Sequence, residues 1–373
     1  MTVETIKNWR ELNPLGWSGL VTDEDLFTSP EWLRIEEEPV GPWHSKDRAY
    51  LAAVGPRGAE AGLIALLFDE SVTEPLCRTD LYVAGLDPAL DQDALSRDLL
   101  PCVMAGGWFN SRVLLAPGLS GGARRQAVES LVAAAEDFAA DSSAGSIAFS
   151  CVGAQQHELR SVLTDAGYLA LPTGPRHVMS VGWDEYAGYL GSLRSRQRLR
   201  VRKEHQRILD SDVSTRVERM DGSNVADVAR LARAVEGKYE MDATSDQLEE
   251  WFRAIAAAPI PNVLFTADRK GARCASTLWL SRGRHLYGFH SGADYELSDG
   301  LPTYFETAYR MPMDYACASA GSIGVLEYGV DSDRAKLNRG STALDQYVYL
   351  KATSPEVQRR LEAGLTRSST VTG

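Results

Sequence analysis

The same order of hairpin, helix and strand signals runs through this chain twice, and that order is what most constrains its fold. In the first half, the apolar runs Ala49–Val54 and Ala61–Phe68 flank the turn Gly55-Pro56-Arg57-Gly58, a hairpin signal. A short strand, Arg112–Leu115, opens into Gly118-Leu119-Ser120-Gly121-Gly122. The segment Ala123–Ala140 carries apolar side chains at Val128, Leu131, Val132, Ala135 and Phe138, which is helical spacing. A strand at Ser146–Val152, a helix at Gln156–Asp165 stopped by Gly167, and a strand at Tyr168–Leu171 complete the half. In the second half, Thr244 and Gln247 form a T-x-x-Q capping box opening a helix to Ala257. Asn262–Ala267 and Cys274–Leu280 make a hairpin, Arg284–His290 a third strand, Thr303–Ala318 a helix that Pro312 must kink or divide, and Ser322–Tyr328 another strand. Strands alternating with helices predict a mixed α/β sheet in each half. The boundary is placed near residue 185, giving domains 1–185 and 186–355 and a polar tail, 356–373, whose last residues are expected to be disordered.

A length of 373 residues suits two domains. No run approaches the roughly 18–20 apolar residues that span a bilayer. The opening MTVETIKNWRELNPLGW lacks a charged start followed by an apolar run, so a cytoplasmic protein without a signal peptide is expected. The five cysteines, Cys77, Cys102, Cys151, Cys274 and Cys317, form no C-x-x-C pair, which disfavours a disulfide framework or a structural zinc site. The chain has no H-E-x-x-H and no G-x-S-x-G, so metal-dependent and serine hydrolysis are disfavoured.

Charge gives the sharpest local feature. The chain carries 39 basic and 51 acidic residues, a net −12. Yet residues 194–207 hold Arg194, Arg196, Arg198, Arg200, Arg202, Lys203 and Arg207 against Glu204 alone. On a helix, Arg196, Arg200, Lys203 and Arg207 share a face. Such a ridge suits phosphates; a solvated helix held by salt bridges is the plain alternative.

The run Ser195–His205 is similar to the helix S-x-x-R-x-x-[VIL]-R-[KR]-x-x-[KR] that opens the second domain of Fem-like transferases. Further on, His285-Leu286-Tyr287-Gly288-Phe289-His290, then Tyr304-Phe305-Glu306, Glu327-Tyr328-Gly329 and Lys336-Leu337-Asn338-Arg339-Gly340 follow the order of the peptidoglycan biosynthesis or recognition family. The family tends to have His-Phe-Glu where this chain has Tyr304-Phe305-Glu306. The resemblance covers about residues 185–350. It implies two tandem N-acetyltransferase-type (GNAT) domains and transfer of an acyl or aminoacyl group to an amine by direct attack. No cofactor is expected to be resident; aminoacyl-tRNA or acyl-CoA would be the co-substrate, and a small-molecule or peptide amine the acceptor, in cell-wall precursor or specialised-metabolite biosynthesis. The alternative is a non-catalytic protein of the same fold that binds a polyanion or cell-wall precursor.

Transfer to an amine needs a proton acceptor and stabilisation of the oxyanion. Glu327, Glu306 and His290 are the candidates for the first. Arg196, Arg200 and Lys203, with Tyr287, Tyr328, Lys336 and Arg339, are the candidate donor- and substrate-binding residues. Tyr287 and Tyr328 equally suit half-buried packing, and Lys336 and Arg339, three apart, equally suit an ordinary surface pair. The loop Gly118–Gly122, with Arg124 and Arg125, occupies the place where the acetyltransferase fold cradles a pyrophosphate, or it is a plain connection.

Overall fold

The computed structural model describes residues 1–41, 43–56, 58–86, 91–107, 111–237 and 243–371, with side chains to residue 364. The chain divides into two compact units. The first comprises Met1–Glu37, Trp43–Thr173 and Asp345–Gly373, the second Glu38–Pro42 and Gly174–Leu344.

The first unit runs β1 (Thr2–Ile6), α1 (Pro30–Glu37), β2 (Asp47–Gly55), β3 (Gly58–Phe68), α2 (Thr79–Leu86), α3 (Gln92–Leu99), β4 (Cys102–Ala105), β5 (Leu114–Leu115), α4 (Gly121–Asp141), β6 (Ser146–Gly153), α5 (His157–Asp165) and β7 (Leu169–Pro172). The β2–β3 hairpin closes at Gly55↔Gly58, around Arg57, which lies outside the described residues. The sheet order is β1-β2-β3-β4-β6-β15-β7, where β15 is Gln346–Ala352, with β4 and β6 parallel. The apolar stripe read from the sequence on α4 packs with Leu159, Val162 and Leu163 of α5 onto the sheet.

The second unit runs β8 (Arg176–Ser180), α6 (Tyr186–Ser192), α7 (Ser195–Leu209), β9 (Val213–Glu218), α8 (Val225–Glu236), α9 (Ser245–Ala257), β10 (Asn262–Arg269), β11 (Ala272–Arg282), β12 (His285–Ala293), α10 (Tyr295–Ser298), α11 (Thr303–Phe305), a π-helical segment Glu306–Arg310, α12 (Met311–Ala318), β13 (Val325–Gly329), α13 (Asp333–Leu337) and β14 (Thr342–Leu344). Its sheet order is β14-β8-β13-β12-β11-β10-β9. Thr244 and Gln247 make the expected capping box on α9. The predicted break at Pro312 takes the form of the π-helical segment just ahead of it, a widened turn that accommodates a residue without an N–H in a helix that otherwise continues.

The boundaries differ from those expected. Strand β8, read as part of the first domain, pairs with β13 and β14 of the second sheet. After β14 the chain returns, and β15 (Gln346–Ala352) inserts between β6 and β7 of the first sheet. The polar tail is helix α14 (Pro355–Val371). Ser354 Oγ accepts from the Val357 N–H at its start, and Val357 and Leu361, four apart, are buried. Period and composition do not reveal an exchange of single strands between sheets.

Helix α8 lies directly on β12 at Gly292, where a Cβ would fall 2.5 Å from the carbonyl carbon of Leu231 and 2.6 Å from the Ala232 nitrogen. Backbone cannot yield as a side chain does. Gly292→Ala is therefore expected to lose about 1–3 kcal/mol in urea unfolding. Gly222→Ala, which meets nothing within 4 Å, should stay within about 0.5 kcal/mol.

Candidate functional site

Strands β12 and β13 are parallel and share three pairs only: His285↔Val325, Leu286↔Leu326 and Tyr287↔Glu327. Beyond Tyr287 and Glu327 the ladder stops, although β12 continues to Ala293. Each strand is bulged just past that point. On β12, Trp279 faces Gly288 and Leu278 faces His290, so Phe289 is the extra residue. On β13, Val178 faces Glu327 and His177 faces Gly329, so Tyr328 is the extra residue. Bulges of this kind re-aim side chains and are over-represented beside active sites.

The bulge at Phe289 decides which residues meet. Residues two apart on a strand share a face. Leu278 and Leu280 do so, and their partners are His290 and Tyr287. Tyr287 and His290 therefore share a face although three apart. Glu327, paired with Tyr287, joins them, and so does Arg176, two residues from Glu327's partner Val178. Helices α8 and α9 bring Glu236, Trp251 and Phe252 to His290 on this face.

Two polar clusters result. At the fork, Glu327 is buried, with Oε1 3.3 Å from His285 Nδ1 and Oε2 3.8 Å from Arg176 Nε. The His285 ring stacks on Tyr287 at 5.9 Å. Further along β12, His290 Nε2 lies 3.0 Å from Glu236 Oε1. The Phe252 ring meets the imidazole edge-on at 5.2 Å, and Trp251 lies against Phe252, Phe289 and His290 at 5.5, 5.1 and 6.5 Å. Gly41, at φ +87°, packs against Trp251, where a Cβ on residue 41 would fall 2.9 Å from the indole Cγ and Cδ1.

The remaining candidates lie elsewhere. Glu306 belongs to the π-helical segment on the opposite face of the sheet. Both its oxygens are 3.1 Å from His205 Nδ1, and Arg310 is 3.6 Å away. Burial raises its pKa, opposed by His205 and Arg310. Tyr328 is half-buried on that face too, edge-on to Trp279 and stacked on Tyr309, both at 5.3 Å, and loss of solvent around it pushes its phenol up. Lys336 is buried, with Nζ donating to the carbonyls of Gly329 and Val330. Arg339 is buried against the rings of Phe305 and Tyr309, 4.3 and 4.5 Å away, and bonds Glu204 at 2.5 Å. The expected anion clamp is thus a strut of the interior: the Lys336 and Arg339 donors are taken up by carbonyls and a carboxylate.

The basic run forms α7 as expected. Val201 and Ile208 are its buried side, and Glu204 and His205 flank that side. Arg196, Arg200, Arg202 and Lys203 are exposed and make no ion pair among the described residues. Arg198 donates to Gly191 and Arg207 to the Gly300 carbonyl.

The sequence assigns no site role to Arg176, His285, Glu204, His205, Trp251 or Glu236. For Glu236 there was a signal. It continues the buried stripe Val225, Val228, Ala229, Ala232 of α8 at helical spacing, an acid on an apolar face. In the first unit, the loop Gly118–Gly122 does lead into α4. A pocket of about 350 Å³ lies beside that helix, but Arg124 in its wall is paired with Glu158, and Arg125 with Glu129 and Asp165. All five cysteines are buried thiols, none of them in a disulfide. No group of His, Cys, Asp or Glu among the described residues has the arrangement of a metal site. No described helix is long and apolar enough to cross a membrane.

Residues 110–371 match the profile of the FemAB-like family, described as peptidoglycan biosynthesis/recognition. No curated protein matches the sequence. Among solved structures, the chain is similar to FemX, with 13% identity and a TM-score of 0.61 over 97% of this chain and 100% of that one. It is also similar to a tandem GNAT protein from the clavulanic acid biosynthesis pathway, with 11% identity and a TM-score of 0.56 over 95% and 99%. A conserved protein of unknown function from Bacteroides thetaiotaomicron gives 9% identity and 0.55 over 94% and 99%. The likeness is one of fold: two tandem GNAT-type α/β units.

Lys336 supplies a pH test of the interior strut. Burial lowers its pKa from 10.5 to about 8. Between those values the unfolded chain binds a proton that the folded chain has released, so the stability attributable to Lys336 rises with pH. Urea unfolding from pH 8 to 10.5 is expected to show wild type gaining on Lys336→Met by up to about 3 kcal/mol. A constant difference would remove the argument for a buried amine.

Proposed function

The chain belongs to the FemAB-like family of peptidoglycan biosynthesis/recognition, and on that premise we propose that it transfers an activated acyl or aminoacyl group to an amine at the fork between β12 and β13. The observation that carries this reading is the fork itself. Two parallel strands part after three pairs, both are bulged at the parting, and His285, Tyr287, His290, Glu327 and Arg176 converge there on one face. Parted strands offer backbone N–H groups at which a carbonyl can be polarised.

The donor is a phosphate-bearing molecule, and α7 supports an aminoacyl-tRNA over acyl-CoA. Arg196, Arg200, Arg202 and Lys203 are exposed, without acidic partners among the described residues, in a chain of net charge −12. A cationic strip on an acidic protein confines the polyanion to a small footprint, which suits an acceptor stem better than a whole tRNA face. Helix α7 packs on the π-helical side of the sheet, through His205 and Glu306, and the polar cluster lies on the other side. Donor and amine would thus reach the fork from opposite faces and meet there, and direct attack needs only that they be held in contact and in the right orientation.

The test is a binding titration with CoA, acetyl-CoA, uncharged tRNA and a non-hydrolysable aminoacyl-tRNA analogue at two salt concentrations. The analogue is expected to bind most tightly. Arg196→Ala/Arg200→Ala/Lys203→Ala should weaken it and flatten the slope of log affinity against log salt by about one per lost cation. An unchanged slope would remove α7 from the reading. Tight binding of CoA alone would move the donor to the acyl-CoA class. Binding of the polyanion without any transfer to an amine would favour a non-catalytic binding protein.

A further inference from the structure

We infer that the His290–Glu236 pair, walled by Trp251, Phe252 and Phe289, is the subsite that receives a primary amine as its ammonium ion and takes a proton from it. The inference rests on the fork being the transfer site, but it has its own observation. Glu236 is 4% exposed, its Oε1 is held by His290, and its Oε2 is buried with no hydrogen-bond partner among the described residues. A buried, unpaired carboxylate oxygen is costly, so this one calls for a donor. The side chains gathered there leave little choice about the donor's chemistry. Three aromatic rings stand around the imidazole–carboxylate pair. Aromatic faces attract cations, and a carboxylate accepts from N–H. An alkylammonium ion satisfies both; a hydroxyl or an anion does not.

Glu236 is better suited to this role than Glu327, whose two oxygens already face His285 and Arg176. The charged groups near His290 are Glu236 from α8 and, on the same sheet face, His285, Glu327 and Arg176. One turn back along α8, Arg233 has its guanidinium beside Gly237. With Nε2–H donating to Glu236 Oε1, His290 keeps a lone pair on Nδ1. That nitrogen lies on the far side of the ring from the carboxylate, so it takes one proton from the ammonium through a single intervening water. The free amine attacks the carbonyl carbon of the ester or thioester donor, the C–N bond forms and the C–O or C–S bond breaks. The second proton lost by the nitrogen goes to the leaving oxygen or sulfur, and the imidazolium returns its proton to solvent. Histidine is the proton acceptor in this scheme. Glu236 positions it and holds the ammonium.

The experiment uses the full chain and needs no acyl donor. The Cε1–H signals of the six histidines are followed by NMR, His290 being assigned with His290→Gln. n-Butylammonium chloride is titrated into wild type and Glu236→Gln, with tetramethylammonium, which has no N–H, as control. The expected result is a saturable shift of the His290 signal with butylammonium, none with tetramethylammonium, and at least about tenfold weaker binding in Glu236→Gln. The other five histidine signals report whether the variant is folded. Equal responses to both ions, no response, or full binding by Glu236→Gln would overturn the amine subsite. Where transfer to butylamine is measurable, His290→Gln should slow it about 100-fold or more; an equal rate would overturn the proton-acceptor role. Binding of butylammonium without any transfer would leave the subsite standing and refute the transferase reading instead.

Discussion

The shortness of one parallel ladder organises the second unit. A parallel pair that ran the full length of β12 and β13 would bury both strands as plain core. Here three pairs form and two bulges follow. The backbone groups past Tyr287 and Glu327 are left facing an opening, and the extra residue at Phe289 turns His290 onto the face already held by Tyr287. Helix α8 is then fixed against β12 by the absence of a side chain at Gly292, which sets the height at which Glu236 meets the imidazole. Each step depends on backbone register more than on any single side chain.

Helix α7 separates two jobs along its circumference. Its inner flanks are structural: Glu204 holds Arg339 against Phe305 and Tyr309, and His205 holds Glu306. Breaking either buried pair would strand a charge, a cost of several kcal/mol. Its outer face has no such ties, and Arg196, Arg200 and Lys203 stand free in solvent. The charge run that stood out in the sequence is thus solvated for most of its length, and the Glu and His embedded in it are what anchor the helix.

Much of the fold was legible. The hairpins, the capped α9 and the stripes on α4 and α5 follow from local rules about period and caps. What was not legible is non-local. Strand β8 opens the second sheet instead of closing the first, and β15 returns to the first sheet after a run of strands in the second; no pattern of period two says which sheet a strand joins. The candidate site divides in the same way. His290, Glu327 and Tyr287 lie on one face, but a strand read at period two puts residues 287 and 290 on opposite faces; only the bulge unites them. Glu306, Tyr328, Lys336 and Arg339 were drawn in by the motif order, but Glu306, Tyr328 and Arg339 lie on the other side of the sheet and Lys336 bonds the carbonyls at the end of β13. Glu236 escaped because it sits 54 residues from its partner, although an acid on the apolar stripe of α8 marked it.

The central claim is that acyl transfer is centred on the β12–β13 fork. Hydrogen–deuterium exchange of the full chain, with and without a non-hydrolysable aminoacyl-tRNA analogue, measures this most directly. The account predicts donor-dependent protection of backbone amides at 288–290 and 328–329, together with α7. Protection confined to the first unit, at the loop Gly118–Gly122 and the start of α4, would contradict it.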